Sequence, residues 1–230
     1  MPFKVKKKEL NNRFFNVFEN NRLAFGFTEK EFSLKDLGEY FNKFSVIQLK
    51  QIHSNIILYS DQIKPGTSGD GIILNHRDHL GLIKTADCIP LTFWDQNYQM
   101  GGIVHIGWRG LYQRIETRLL QILSNTQTKK ENLWFHIGPA IEQNCYPVGS
   151  EIHALFNNHS FRDQAFSRNS KGQLHLDLKK ALTQSLFDSG VAPQRIIDSR
   201  ICNFCEQNRF PSFRRDGQSK KRIYNFLLLK

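Results

Sequence analysis

Gly102-Ile103-Val104-His105-Ile106-Gly107-Trp108-Arg109-Gly110-Leu111 lays out a strand, a turn and the start of a helix in one short run. Gly102 to Ile106 is apolar apart from His105, as expected of a strand that ends in a chemically useful side chain. Gly107 to Gly110 punctuates the run. Beyond it Leu111, Ile115, Leu119 and Ile122 recur at helical spacing, with Arg114 and Arg118 off that stripe. A helix with one apolar stripe must lay it on something, and the preceding strand supplies the surface.

Upstream, the same strand-like pattern repeats as short apolar runs broken by turn residues: Val46 to Leu49, Ile56 to Tyr59, Gly71 to Leu74, Gly81 to Ile83 and Ile89 to Trp94. Downstream, Asn132 to Ile137 reads as a further strand and Gly149 to Phe156 as a short helix. Asp177 to Ser189 reads as a helix with Leu178, Leu182 and Leu186 on one face, capped by Asp177 and closed by Gly190 and Pro193. No repeat, low-complexity tract or composition shift marks a linker. The expectation is one α+β domain with a mixed sheet and packed helices over residues 22–230, preceded by a basic N-terminal segment over residues 1–21.

The chain has 230 residues, 40% of them apolar and 23% charged, with 19 Phe, which is an ordinary globular composition. Lys4, Lys6, Lys7 and Lys8 are followed by Asn11, Asn12 and Arg13 instead of an apolar stretch, so the start lacks the middle of a signal peptide. No run approaches the ~20 apolar residues that span a membrane. A cytoplasmic location is expected, with Cys88, Cys145, Cys202 and Cys205 as thiols instead of disulfides. The net charge of +11 is spread along the chain and carries no RNA-binding strand signature. A nucleic-acid partner is therefore not expected, a basic non-enzymatic binding module is the alternative, and a small anionic or phosphate-bearing ligand is the favoured use of the charge.

Three segments end strands with metal-binding or nucleophilic side chains: Gln51-Ile52-His53, Thr85-Ala86-Asp87-Cys88-Ile89-Pro90, and Val104-His105-Ile106. Two imidazoles and a thiolate suit tetrahedral zinc with a fourth position left open. By spacing alone, His53 and His105 equally fit hydrogen-bonded sheet-edge histidines, and Cys88 fits a buried small hydrophobe or a nucleophile with His105 as its base. Gly107 and Gly110 flank Arg109 where backbone N–H groups and a guanidinium could meet an anion, or where Trp108 could simply pack. Arg214 and Arg215 in Phe213-Arg214-Arg215-Asp216-Gly217 are further anion candidates. Cys202-Asn203-Phe204-Cys205 has CxxC spacing, but no second CxxC or HxxxH completes a structural zinc site in sequence, and His76 and His79 read as a surface turn. A multicopper centre would need His-x-His pairs, which are absent, and a blue-copper site a nearby Met, whereas the only methionines are Met1 and Met100.

Taken together with Gly69-Asp70-Gly71, Ile137-Gly138-Pro139-Ala140-Ile141, Cys145-Tyr146-Pro147-Val148-Gly149 and Leu176-Asp177-Leu178, these segments resemble the YfiH/PgeF family in its own order, over about residues 22–224. That family carries the older labels "laccase domain" and "multicopper polyphenol oxidase". The resemblance implies an α+β sandwich of the putative cysteine hydrolase superfamily and a zinc ion on His53, Cys88 and His105. It implies phosphorolysis of adenosine, inosine and methylthioadenosine, with adenosine deamination. Asp87 is the expected general base or ligand-orienting residue, and Arg109 with the Gly107–Gly110 turn, helped by Arg214 or Arg215, the expected phosphate site. Alternatives carried by the same resemblance are a cysteine amidohydrolase editing cell-wall precursors and a copper polyphenol oxidase. The chain departs from the family's pattern at Glu29-Lys30-Glu31, at Cys202-Asn203-Phe204-Cys205 and at Pro211-Ser212-Phe213.

Overall fold

A computed structural model of the chain describes residues 4–10, 13–217 and 219–230. Residues 1–3, 11 and 12 of the basic N-terminal segment lie outside the described residues. Two six-stranded sheets dominate. The first runs, in spatial order, Lys4–Leu10, Arg13–Glu19, Leu23–Thr28, Ile223–Leu229, His79–Thr85 and Ser45–Gln48. The second runs Ile196–Asp198, Leu133–Ile137, Ile89–Asp95, Gly101–Ile106, Gly71–Leu74 and Ile57–Tyr59. Both are mixed, with parallel pairing at Ser45–Gln48, Ile57–Tyr59 and Ile196–Asp198 and antiparallel pairing elsewhere.

The two-residue alternation of side chains sorts the core into layers. Leu227 and Leu229 face inward between the sheets with Leu23, Phe25, Ile72, Trp94 and Ile103. Phe226 and Leu228, one residue out of step, join Phe15, Leu80 and Leu82 on the opposite face, covered by the helix Leu34–Tyr40. The far face of the second sheet carries the largest cluster, where Phe93, Val104 and Phe135 meet Leu119 and Leu182 from helices Ile115–Ser124 and Leu178–Asp188. The result is a helix–sheet–sheet–helix sandwich. Gly102 permits a close approach within the second sheet, since a Cβ there would sit 2.2 Å from the Ile72 carbonyl oxygen and 2.6 Å from the Phe93 ring.

The helix expected through Leu111 and Ile122 is broken in two, Trp108–Tyr112 and Ile115–Ser124. Arg114 sits between them in the left-handed region at φ 57°, so the helical stripe is shifted and Leu123, not Ile122, is buried. The helix Leu178–Asp188 is capped as its sequence predicts, Asp177 accepting from the Lys180 N–H at 2.9 Å. Residues 4–19 carry two strands, and their lysines line an edge of the first sheet. No helix of the described residues is long and apolar enough to cross a membrane.

Candidate active site

The chain passes from the first sheet to the second through Ala86-Asp87-Cys88, between strands His79–Thr85 and Ile89–Asp95. That crossing puts Cys88 at the mouth between the sheets. His105 lies in the next strand, in register with Pro90, and His53 is on the loop after Ser45–Gln48. Their ligand atoms lie within 4.8 Å of one another. His53 Nε2 is 3.9 Å from Cys88 Sγ, and the two imidazoles meet edge to face with ring centres 4.7 Å apart.

Asp70 organises this cluster. Its buried carboxylate accepts from the backbone N–H groups of Ile52, His53 and Ser54 at 3.3, 3.0 and 2.6 Å, and from the Ser54 hydroxyl at 2.7 Å. It also bonds His105 Nδ1 at 2.8 Å, which fixes the ring and leaves Nε2 for a ligand. One carboxylate therefore sets both histidines, holding His53 in the left-handed backbone region at φ 59°. Gln51 adds to the loop's register by bonding both the N–H and the C=O of Lys84 at 2.8 Å.

Electrostatics prepare the donors. Burial works against ionisation of Cys88, yet His105 and His53 outweigh it and bring the thiol below its ordinary value. Burial likewise disfavours a charged His105, yet Cys88 and Asp70 raise it. Asp70 is held at about 2 despite its burial, by His105 and Ser54. Two imidazoles and a thiolate are a borderline-soft set that fits a tetrahedral cation with one position free. Gly107 completes the cradle, since a Cβ there would stand 2.8 Å from Cys88 Sγ and 3.2 Å from the His53 ring.

The cluster forms the floor of a cleft of about 530 Å³ whose lining includes Lys50, Lys84, Arg109, Arg214 and Arg222. Of the anion candidates, Arg109 stacks on Trp108 with its guanidinium 4.3 Å from the ring centre. Arg214 lies over Tyr146 and donates to the Pro147 carbonyl at 3.0 Å. Arg215 is placed elsewhere: its guanidinium donates to the carbonyls of Asn203, Phe204 and Phe210 and pairs with Asp216, holding a loop together. Gly110 packs against Ile115 beneath the turn. Asp87, at φ 88°, has both carboxylate oxygens occupied, accepting from Asn203 Nδ2 at 2.8 Å and from the Arg214 N–H at 2.7 Å. It positions the Arg214 loop over the cleft.

Two features escaped the sequence reading. Asp70 was visible only as a carboxylate between two glycines at the start of an apolar run. Cys145 was unpaired in sequence, yet it meets Cys202 and Cys205 in space.

Residues 34–230 match the family described as multi-copper polyphenol oxidoreductase laccase. The chain belongs to this family. A purine nucleoside phosphorylase of Clostridium acetobutylicum is 28% identical over 222 residues, covering 94% of this chain and 91% of that protein. An adenosine deaminase of an unknown prokaryotic organism is 29% identical over 150 residues, 64% of this chain and 57% of that one. The crystal structure of YlmD from Geobacillus stearothermophilus superposes with a TM-score of 0.86 over 100% of both chains at 21% identity. The laccase-domain fold is thus the α+β sandwich described above.

Proposed function

We propose that this laccase-domain chain is a zinc-dependent purine nucleoside phosphorylase with adenosine deaminase activity. The observation that carries the reading is the His53–Cys88–His105 donor set at the floor of a cleft walled by arginines and lysines. The cleft's volume lies in the range of small-molecule sites, and the relatives' names supply the substrate class. One thiolate and two imidazoles suit zinc, and a copper ion on the same three donors would usually add an axial Met, whereas Met100 packs against the hydrophobic core of the second sheet. A zinc ion held by His53, Cys88 and His105 would supply Lewis acidity to a substrate oxygen or a water.

The chain's own residues bind and orient. Arg109 offers a planar fork to phosphate, and Arg214, anchored through its backbone by Asp87, offers a second cation. In phosphorolysis a phosphate oxygen forms the new bond to C1′ of the ribose as the bond from C1′ to the purine nitrogen breaks, and the departing base takes a proton. Burial raises the Tyr146 phenol, so it stays a hydrogen-bond donor on the cleft wall at neutral pH. Phe213, exposed at the rim, offers a face for stacking.

Purified protein incubated with adenosine and phosphate decides between outcomes: adenine plus ribose 1-phosphate is expected for phosphorolysis, with inosine as the mark of deamination. Neither product would sink the nucleoside reading. The Asp70–His105–Cys88 relay also has the form of an activated nucleophile, which favours amide hydrolysis as the second reading. Full activity of thoroughly chelated protein, with a substrate-derived adduct on Cys88, would select it.

A further inference from the structure

Outside the residues that line the cleft, three cysteines from two separate segments converge. Cys145 ends the 3-10 turn Gln143–Cys145, and Cys202 and Cys205 lie in the loop after strand Ile196–Asp198. Cys145 Sγ stands 3.3 Å from Cys205 Sγ and 4.0 Å from Cys202 Sγ, and all three sulfurs lie within 4.8 Å of one another. Three sulfurs at about 2.3 Å from a common ion, at tetrahedral angles, stand about 3.8 Å apart. The observed separations bracket that value. The cluster grades from buried Cys202 to exposed Cys205, so one side of it is open to solvent. Glu142 adds negative charge beside Cys205.

We propose that Cys145, Cys202 and Cys205 form a second metal site, which takes zinc on three thiolates with water in the fourth position. Zinc binding displaces one proton from each thiol. The backbone around the cluster is already paired, the Ala140 N–H to the Ile201 carbonyl at 3.2 Å and the Asn203 N–H to the Ala140 carbonyl at 3.3 Å. The ion clamps side chains onto that frame. Two of the ligands adjoin residues that shape the cleft wall: Cys145 precedes Tyr146, and Cys202 precedes Asn203, which holds Asp87. The site is a staple for that wall and stands independently of the nucleoside reading.

The test loads metal-free, reduced protein with zinc alone and counts ions by native mass spectrometry. The expected result is about two ions in the unaltered chain, about one in Cys88→Ala and none in Cys88→Ala/Cys205→Ser. In the unaltered chain, where no variant can misfold, zinc should slow alkylation of Cys145, Cys202 and Cys205 by about tenfold or more relative to chelated protein. Cys88→Ala that binds no zinc, together with alkylation of the three thiols at the same rate with and without zinc, would overturn the proposal while leaving the first site standing. So would a Cys145–Cys205 disulfide, lighter by two hydrogens, in protein that takes up only one zinc after reduction.

Discussion

Replacing Asp70 by Asn removes an acceptor that five donors share, and an amide oxygen cannot serve His105 and three backbone N–H groups at once. Asp70→Asn should therefore weaken zinc binding by about 10–100-fold, the usual range for a lost partner of a metal-bound histidine. Competition against a fluorescent chelator measures it, and an affinity within twofold of the unaltered chain would show that the loop holds itself. A separate expectation concerns anion recognition. Arg109→Lys keeps the charge and loses the fork, so KM for phosphate should rise more than KM for nucleoside, whereas Arg215→Lys should act on stability through the carbonyls it holds. A nucleoside KM that rises while the phosphate KM stands still would move Arg109 out of the phosphate site.

Among strands, legibility followed burial on one or both faces. Gly71–Leu74, Ile89–Asp95 and Gly101–Ile106 read correctly because turn residues bound each apolar run. The strand Lys4–Leu10 gave no such signal, since its lysines spell a solvated edge and not an apolar face. Ile223–Leu229 is buried like those three, but Tyr224 and Asn225 interrupt its apolar run, and the remaining Phe226 to Leu229 is too short to tell strand from helix by periodicity. The proposed ligands His53, Cys88 and His105 were named through the family's motifs, and the fold brings their ligand atoms within 4.8 Å of one another. Asp70's role and Cys145's partners depend on contacts across the fold that spacing along the chain cannot encode. The edge itself is testable. Glu19 accepts from Lys230 at 2.8 Å and from Lys6 at 3.0 Å, and Lys230 is the main cause of its fall to about 2. A carboxylate lowered in this way stabilises the fold fully above its ordinary value near 4.5 and loses that contribution as pH falls toward 2. Glu19→Gln should thus cost about 1 kcal/mol at pH 7, limited by solvent screening, and nothing near pH 2. Urea titrations at both pH values, repeated in high salt, would expose a pH-independent cost as packing instead.

The layered architecture separates stability from recognition. Phe226 is fully buried between the first sheet and its covering helix, and Phe226→Ala should cost about 3–5 kcal/mol. Phe213 is 43% exposed at the cleft rim, and Phe213→Ala should leave unfolding within about 0.5 kcal/mol of the unaltered chain while raising KM for nucleoside. Equal losses of stability from the two changes would place Phe213 in the core.

The strand Ile223–Leu229 sits in the interior of the first sheet, with Leu23–Thr28 on one side and His79–Thr85 on the other. Its residue Ile223 pairs with Thr85, three positions before the proposed ligand Cys88. A ribosome delivers that strand last, after every other strand of both sheets has left the exit tunnel. Until it arrives, Leu23–Thr28 and His79–Thr85 face each other across a gap one strand wide, and the crossing that presents Cys88 has no fixed start. The nascent chain thus carries His53, Cys88 and His105 long before it can hold them in place, and a stop codon ahead of Ile223 should yield a polypeptide with every proposed ligand and no site.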